Sequence, residues 1–316
     1  VIRPKLDDRL FVPTGCTLLN LALGGGWAQN RIINVVGDRS TGKTGLAIEA
    51  CANFACLYGA EHIRYAESES AFDDDYARII GLPDGLKVTG GITTVEEFYN
   101  DLLLFCKEHP QSLYVLDSLD ALSDSDEMGR QIGEATYGTS KARKLSELFR
   151  RAVDTIARAQ CTLMIISQVR DKIGVAFGET KTRSGGRALD FYASQIVWLS
   201  EVAKIKRSAH NHERVVGIQA RARVRKNKLA APHREADFLL LFNYGIDDEQ
   251  SLLDWLKKHK ALGDIDENRI KADIRQARKI GDRAALGEVN TLLTHQTRAL
   301  WEKIEAAVAP TMQKYG

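Results

Sequence analysis

The chain has 316 residues, 44% hydrophobic and 27% charged, which gives ample apolar content for a sizeable core and a length that suits about two domains. Lys and Arg number 44 against 42 Asp and Glu, a net charge of +2, so bulk charge announces no polyanion partner and any basic surface must be local. Five cysteines without a CxxC pair argue against zinc or a disulfide scaffold and for free thiols in a reducing compartment; no apolar stretch reaches membrane-spanning length, and no signal peptide is visible at the start.

Residues 1–10 are polar and mixed in charge, and are expected to form an arm. Thr14 or Thr17 is expected to cap a short helix through Leu18, Leu19, Leu21 and Leu23, stopped by Gly24-Gly25-Gly26. Ile32, Ile33, Val35 and Val36 form an apolar run bounded by Gly37, the pattern of a strand buried on both faces. The run leads into Gly37-Asp38-Arg39-Ser40-Thr41-Gly42-Lys43-Thr44, a full match to GxxxxGK[ST]. A helix comes next, with Leu46, Ala47, Ala50, Cys51 and Phe54 at helical spacing. Strand, glycine loop and helix together make a phosphate site. Gly37 and Gly42 let the backbone turn its N–H groups toward an anion, and the helix aims its positive end at the same place. Lys43 would reach the β- and γ-phosphates, and Thr44 would offer a hydroxyl to Mg²⁺.

Further along, His62–Ala66 reads as a short strand, residues 73–80 as a helix, and residues 95–109 as an amphipathic helix. Residues 112–116 form a second buried strand ending at Asp117, and residues 141–159 a long helix with a basic outer face. Residues 161–167 form a third buried strand ending at Gln168; residues 194–199, 215–228 and 238–242 read as further strands. This alternation predicts an α/β fold with a mostly parallel, doubly wound sheet. It is expected to fill a core over 11–246, with a small helical C-terminal domain over 247–316. In such sheets the ligand sits beyond the carboxyl ends of the strands. Asp117 there would hold Mg²⁺, Glu67 or Glu69 would polarise an attacking water, and Gln168 would sense the γ-phosphate.

Taken in order, these motifs resemble the RecA family of recombinases over most of the chain, roughly residues 11–242. Pro13-Thr14-Gly15 and Leu21-Ala22-Leu23-Gly24 precede the phosphate loop as in that family. The stretch Ser68-Glu69-Ser70-Ala71-Phe72-Asp73-Asp74-Asp75-Tyr76-Ala77-Arg78 is similar to the family's segment around its catalytic glutamate. That register implies Glu69, rather than Glu67, as the catalytic base, and implies that Asp73 and Tyr76 contact adenine. Residues 168–178 and 184–194 are similar to the family's second DNA-binding loop and the segment after it.

Basic residues Arg170, Lys172, Lys181, Arg183 and Arg187, with four glycines and few core formers, suit a loop that tracks a phosphate backbone. Gly185 and Gly186 would lend N–H groups to a phosphate, and by resemblance Ile173 would wedge between bases. Residues 126–138 match the family's first DNA loop in Ile132-Gly133 and Gly138, with Arg130 beside them and Tyr137 near an inserting position. Lys204 to Lys228 holds nine basic residues against Glu213, which also suits the outward face of a hairpin. The resemblance implies that Lys226 and Lys228 reach a neighbour's γ-phosphate and that Phe191 lies at the same subunit interface. The resemblance also implies a helix and linker ahead of Phe11, where residues 1–10 stand.

The expected function is an ATP- and Mg²⁺-dependent, DNA-stimulated ATPase that polymerises as a helical homopolymer on single-stranded DNA. It would pair that strand with homologous duplex DNA in the cytoplasm of a bacterial cell or phage-infected host, with no membrane partner. Two rival readings keep the same residues: a ring-shaped motor or loader on the same fold, and a DNA-coating protein whose nucleotide only locks assembly.

Overall fold

The computed structural model describes residues 11–125, 140–171, 181–183 and 186–309. In chain order the strands are β1 (Phe11–Val12), β2 (Trp27–Ala28), β3 (Ile32–Gly37), β4 (Ile63–Glu67), β5 (Val88–Thr89), β6 (Leu113–Asp117), β7 (Thr162–Asp171), β8 (Lys181–Arg183), β9 (Gln195–Ala209), β10 (His212–Asn227), β11 (Glu235–Leu241) and β12 (Gly245–Asp247). The helices are α1 (Thr17–Leu23), α2 (Lys43–Tyr58), α3 (Asp74–Ile79), α4 (Val95–Glu108), α5 (Ser140–Arg158), α6 (Gly186–Tyr192), α7 (Asp248–Lys258), α8 (Glu267–Ile280) and α9 (Arg283–Val308).

β1 and β2 form a small ribbon of their own; the main sheet runs β12-β11-β10-β9-β3-β7-β6-β4-β5, with β8 paired to β7. From β9 to β5 every neighbouring pair is parallel. From β9 to β12 the pairs are antiparallel. The parallel part is covered on both faces, which explains its nearly unbroken apolar runs. Alternate residues point to opposite faces. Ile33, Val35, Met164, Ile166 and Val115 pack with Leu46, Cys51 and Phe54 of α2. Ile32, Val36, Leu163, Ile165 and Leu116 pack with Phe98 of α4 and with Leu148 and Phe149 of α5. Leu252, Leu253, Ile270, Ile274 and Leu293 of α7–α9 join the cluster on the α2 face.

Local signals explain most boundaries. Thr94 and Glu97 form a reciprocal capping box at the start of α4. Gly24 ends α1 in the left-handed conformation, φ 81°. The capping expectation for α1 is corrected. Cys16 holds the N-cap position without a side-chain bond. The Thr14 hydroxyl donates to the Cys16 carbonyl, and the Thr17 hydroxyl is drawn away to Asp248 at 2.7 Å. Four cysteines are buried free thiols as expected, whereas Cys56 on α2 is exposed. Among the described residues no helix is long and apolar enough to cross a membrane.

Candidate functional site

The loop between β3 and α2 sits where the parallel sheet changes direction, at the carboxyl end of the central strand. Gly42 takes φ 92°, a left-handed turn that brings Lys43 to the first position of α2. Lys43 Nζ bends back and donates to the Asp38 carbonyl at 2.7 Å. Burial pulls the Lys43 ammonium below its usual range, and the carboxylates of Asp117 and Glu69 oppose that shift. Behind the loop, Asn34 is a fully buried amide in β3, and it donates to the Ile165 carbonyl and the Ser167 hydroxyl, each at 2.9 Å.

The ends of β4 and β6, with Gln168 inside β7, meet beside the loop. Asp117 closes β6, and its Oδ2 accepts from the Thr44 hydroxyl and from the Tyr65 hydroxyl, each at 2.8 Å. Burial raises the Asp117 carboxyl, and those two donors hold it down. A hydroxyl and a carboxylate in contact are a hard, all-oxygen donor pair of the kind that suits Mg²⁺, which usually takes few protein ligands and completes its shell with water and phosphate. Among the described residues no cluster of three or more His, Cys, Asp or Glu that could hold a metal occurs.

The two glutamates after β4 divide sharply. Glu67 is buried, and its carboxylate accepts the N–H groups of Glu69, Ser70 and Ala71 at 2.8, 3.0 and 3.3 Å. It is spent on turning the chain. Glu69 Oε1 instead accepts from the Ser118 hydroxyl at 2.5 Å and from Gln168 Nε2 at 2.9 Å. Ser68 stitches the same corner, its N–H to the Asp117 carbonyl at 2.9 Å and its hydroxyl to the Ser118 carbonyl at 2.7 Å.

A cavity of about 430 Å³ opens from this corner. The phosphate loop, Glu67, Glu69 and Asp117 give it a polar lining, and Phe72, Tyr76, Ile80, Ile218, Leu240 and Phe242 an apolar one. Polar groups for phosphates and apolar side chains with aromatic rings in one cavity match the two chemistries of a nucleotide. Asp73 lines the cavity too, and its carboxylate caps α3 by accepting the Tyr76 N–H at 2.9 Å.

Ser118, Tyr65, Ile218, Leu240 and Phe242 are site residues that the sequence did not single out. Residues 238–242 read only as a strand, because which face meets the loop depends on the sheet order. Ser118 carried a weak signal, a hydroxyl directly after the strand-ending Asp117.

Lys226, Lys228 and Phe191 are not among the residues lining this cavity. Lys226 Nζ donates to the carbonyls of Asp190 and Phe191 at the end of α6, the second at 3.1 Å. The Lys228 N–H donates to the Ser194 carbonyl at 2.9 Å. Phe191 is 69% exposed, packed edge-on against Tyr192.

Among the DNA-loop residues, Arg130, Ile132, Gly133, Tyr137, Lys172, Ile173 and Gly185 lie outside the described residues. Arg170 falls on β7, and Gly186 and Arg187 open α6. The reading of a strand ending at Gln168 followed by a loop is corrected in part: β7 runs on to Asp171, and β8 pairs with it antiparallel, Val169 opposite Arg183. Arg183 is corrected as well. Its side chain is only 5% exposed and pairs with Asp190 at 2.7 Å, so it faces inward rather than toward a phosphate backbone. The basic stretch before Lys228 is a hairpin face, with Lys206 on Glu213, Arg221 on Asp237, Arg223 on Glu235, and Arg225 stacked 3.8 Å over the Trp198 ring.

Fold and loop together define a class: α/β nucleotide-binding proteins with a phosphate loop at the switch point of a mostly parallel sheet. Within it, the model of the RecA N-terminal domain matches residues 6–247. The chain is 34% identical over 305 residues to Protein RecA of Chlamydia trachomatis serovar L2 (strain 434/Bu), covering 95% of this chain and 84% of the relative. It is 35% identical over 252 residues to Protein RecA 2 of Myxococcus xanthus, covering 79% and 68%. With Protein RecA of Leifsonia xyli subsp. xyli the identity is 34% over 263 residues, covering 82% and 72%. The chain belongs to the RecA family and is a RecA-type recombinase of DNA recombination and repair. Such proteins are in general DNA-dependent ATPases that use ATP and Mg²⁺, bind DNA and assemble into filaments.

Proposed function

We propose that this protein forms a helical filament on single-stranded DNA in the cytoplasm, pairs it with homologous duplex and exchanges strands, with ATP held at the seam between protomers. One observation carries the catalytic part: Glu69, braced by Ser118 and Gln168, shares a cavity with the phosphate loop and the Thr44–Asp117 pair. Glu69 takes a proton from a water as its oxygen attacks the γ-phosphorus; the bond to the β–γ bridging oxygen breaks and ADP leaves. Lys43 and the loop N–H groups hold the β- and γ-phosphates. Thr44 and Asp117 hold Mg²⁺, which when bound neutralises charge on those phosphates. Asp73, Tyr76 and Phe242 take the adenine.

Gln168 joins Glu69 to the β7–β8 arm that leads into the second DNA segment, so contact with the γ-phosphate selects the DNA-binding posture of that arm. Arg170, Lys172, Gly185, Gly186 and Arg187 grip the backbone of the strand and Ile173 separates its bases, with Arg130, Ile132, Gly133 and Tyr137 contributing from the first segment. Lys226 and Lys228 complete the neighbour's site.

Replacing Glu69 with Gln tests the core of the scheme. Turnover should fall about 10²- to 10⁴-fold, the usual worth of a positioned general base, while ATP-dependent binding to single-stranded DNA persists. Normal hydrolysis by Glu69→Gln removes Glu69 from the role. Electron micrographs with ATP and single-stranded DNA should show open helices; closed rings would favour a motor.

A further inference from the structure

β7 outruns its neighbour β6. Their ladder ends at Leu116 opposite Ile165, whereas the ladder between β7 and β3 continues to Gly37 opposite Gln168. Past Asp117 the β6 chain turns away, and one backbone bond spans the gap: the Leu119 N–H donates to the Ile166 carbonyl at 3.0 Å. In a parallel ladder, a residue that donates to carbonyl j normally accepts, through its own carbonyl, from the amide of j+2. The regular acceptor for the Gln168 N–H is therefore the Leu119 carbonyl. The Asp120 carboxylate takes that amide instead, Oδ2 to N at 2.6 Å. A side chain continues the ladder where the backbone stops, with a charge-assisted bond in place of a neutral one.

The clamped amide belongs to the residue whose side chain donates to Glu69 Oε1 at 2.9 Å. Directly after it, β7 enters the hairpin with β8, Val169 opposite Arg183. Asp120 is itself anchored, since its carbonyl accepts from Lys141 Nζ of α5 at 3.4 Å and the turn around it is closed by the Ala121 N–H on the Ser118 carbonyl at 3.2 Å.

We propose that Asp120 is a positioning residue for ATP hydrolysis: its carboxylate, bonded to the Gln168 amide, fixes the backbone from which Gln168 reaches Glu69 and from which the β7–β8 arm departs. This rests on the hydrolytic reading given above. Asp120 is not among the residues lining the cavity, and the contact through which it is proposed to act is its bond to the Gln168 amide.

The test compares Asp120→Ala, which removes the acceptor, with Asp120→Asn, which keeps an acceptor oxygen without the charge. Hydrogen exchange of the Gln168 amide is read on the nucleotide-free chain, and ATP turnover with and without single-stranded DNA on the full reaction. In Asp120→Ala the amide should exchange about tenfold faster or more, and DNA-stimulated turnover should fall about tenfold with KM for ATP within twofold of wild type. Asp120→Asn should recover most of both. On a Gln168→Ala background, Asp120→Ala should add no further loss of turnover, because neighbours that act as one unit are not additive. If Asp120→Ala does not fold, Asp120→Glu misplaces the carboxylate while keeping its charge and serves the same comparison.

Unchanged protection of the Gln168 amide in Asp120→Ala overturns the proposal, and so does a full additional loss on the Gln168→Ala background. If wild type shows no DNA-stimulated turnover, the hydrolytic reading fails, while the amide measurement still decides whether Asp120 clamps Gln168.

Discussion

Glu49 illustrates how strongly one side chain is shaped by surroundings that its sequence neighbours do not reveal. It lies on α2, and its carboxylate faces two glycines from distant segments: a Cβ on Gly15 would stand 2.7 Å from Oε2, and one on Gly245 3.1 Å from Oε1. Burial raises the Glu49 carboxyl to about 7, Asp248 adds to the shift, and a backbone bond at Ile246 opposes it. The folded form therefore holds a proton that the unfolded chain releases near 4.5. Between about pH 4.5 and 7 the native state binds more protons, so stability falls as pH rises through that window, and above it the buried carboxylate is charged at a cost to the fold. Glu49→Gln should flatten this part of the pH profile and raise stability at pH 8 by up to about 3 kcal/mol. Thermal melts of both proteins from pH 5 to 8 check it, and parallel profiles would refute it. The glutamates after β4 teach a related lesson. Residues alone left Glu67 and Glu69 equal; resemblance favoured Glu69, and the backbone donors that occupy Glu67 supply a physical reason.

At the scale of elements, the buried strands were legible because burial on both faces leaves continuous apolar runs. The phosphate loop was legible because its glycines and lysine come in a fixed order after such a run. The long β9–β10 hairpin was legible only in part: 194–199 and 215–228 read as strands and the basic stretch suits a hairpin face, but the outer half is exposed on both faces, and no periodicity there separates a solvated hairpin from a loop. The same limit hid β8 and the direction of Arg183, since a basic residue paired inward has the same sequence signature as one facing DNA. Arg183→Met separates the two roles. Asp190 is 63% exposed and stays hydrated when its partner is removed, so the cost should be about 1 kcal/mol rather than the 3–5 of a fully buried pair. The dependence of log K on log salt for single-stranded DNA should keep its slope, because no phosphate contact is lost. A slope smaller by about 0.7 would return Arg183 to the DNA face.

At the scale of the whole molecule, the proposed machinery is divided between two places. The phosphate loop, Glu69 and Asp117 line one cavity, while Lys226 rests on the carbonyls that end α6, beside the exposed Phe191. A lysine at a helix's carboxyl end is favourably placed, so its departure toward a phosphate would also free the end of the helix that carries Phe191. If the catalytic unit is the seam between copies, two inactive variants should rescue one another. Lys43→Ala protomers lack a working loop but keep the lysines; Lys226→Ala/Lys228→Ala protomers keep the loop and lack the lysines. Each alone makes only defective seams. In a random equal mixture of a head-to-tail polymer, about a quarter of the seams join a sound loop to sound lysines, so turnover should recover to about a quarter of wild type. Labelled protomers establish that the two variants enter the same filaments. Co-assembly without recovered turnover would mean that Lys226 and Lys228 do not complete a neighbour's site. Recovery near a quarter is an outcome that a site complete within one protomer cannot produce.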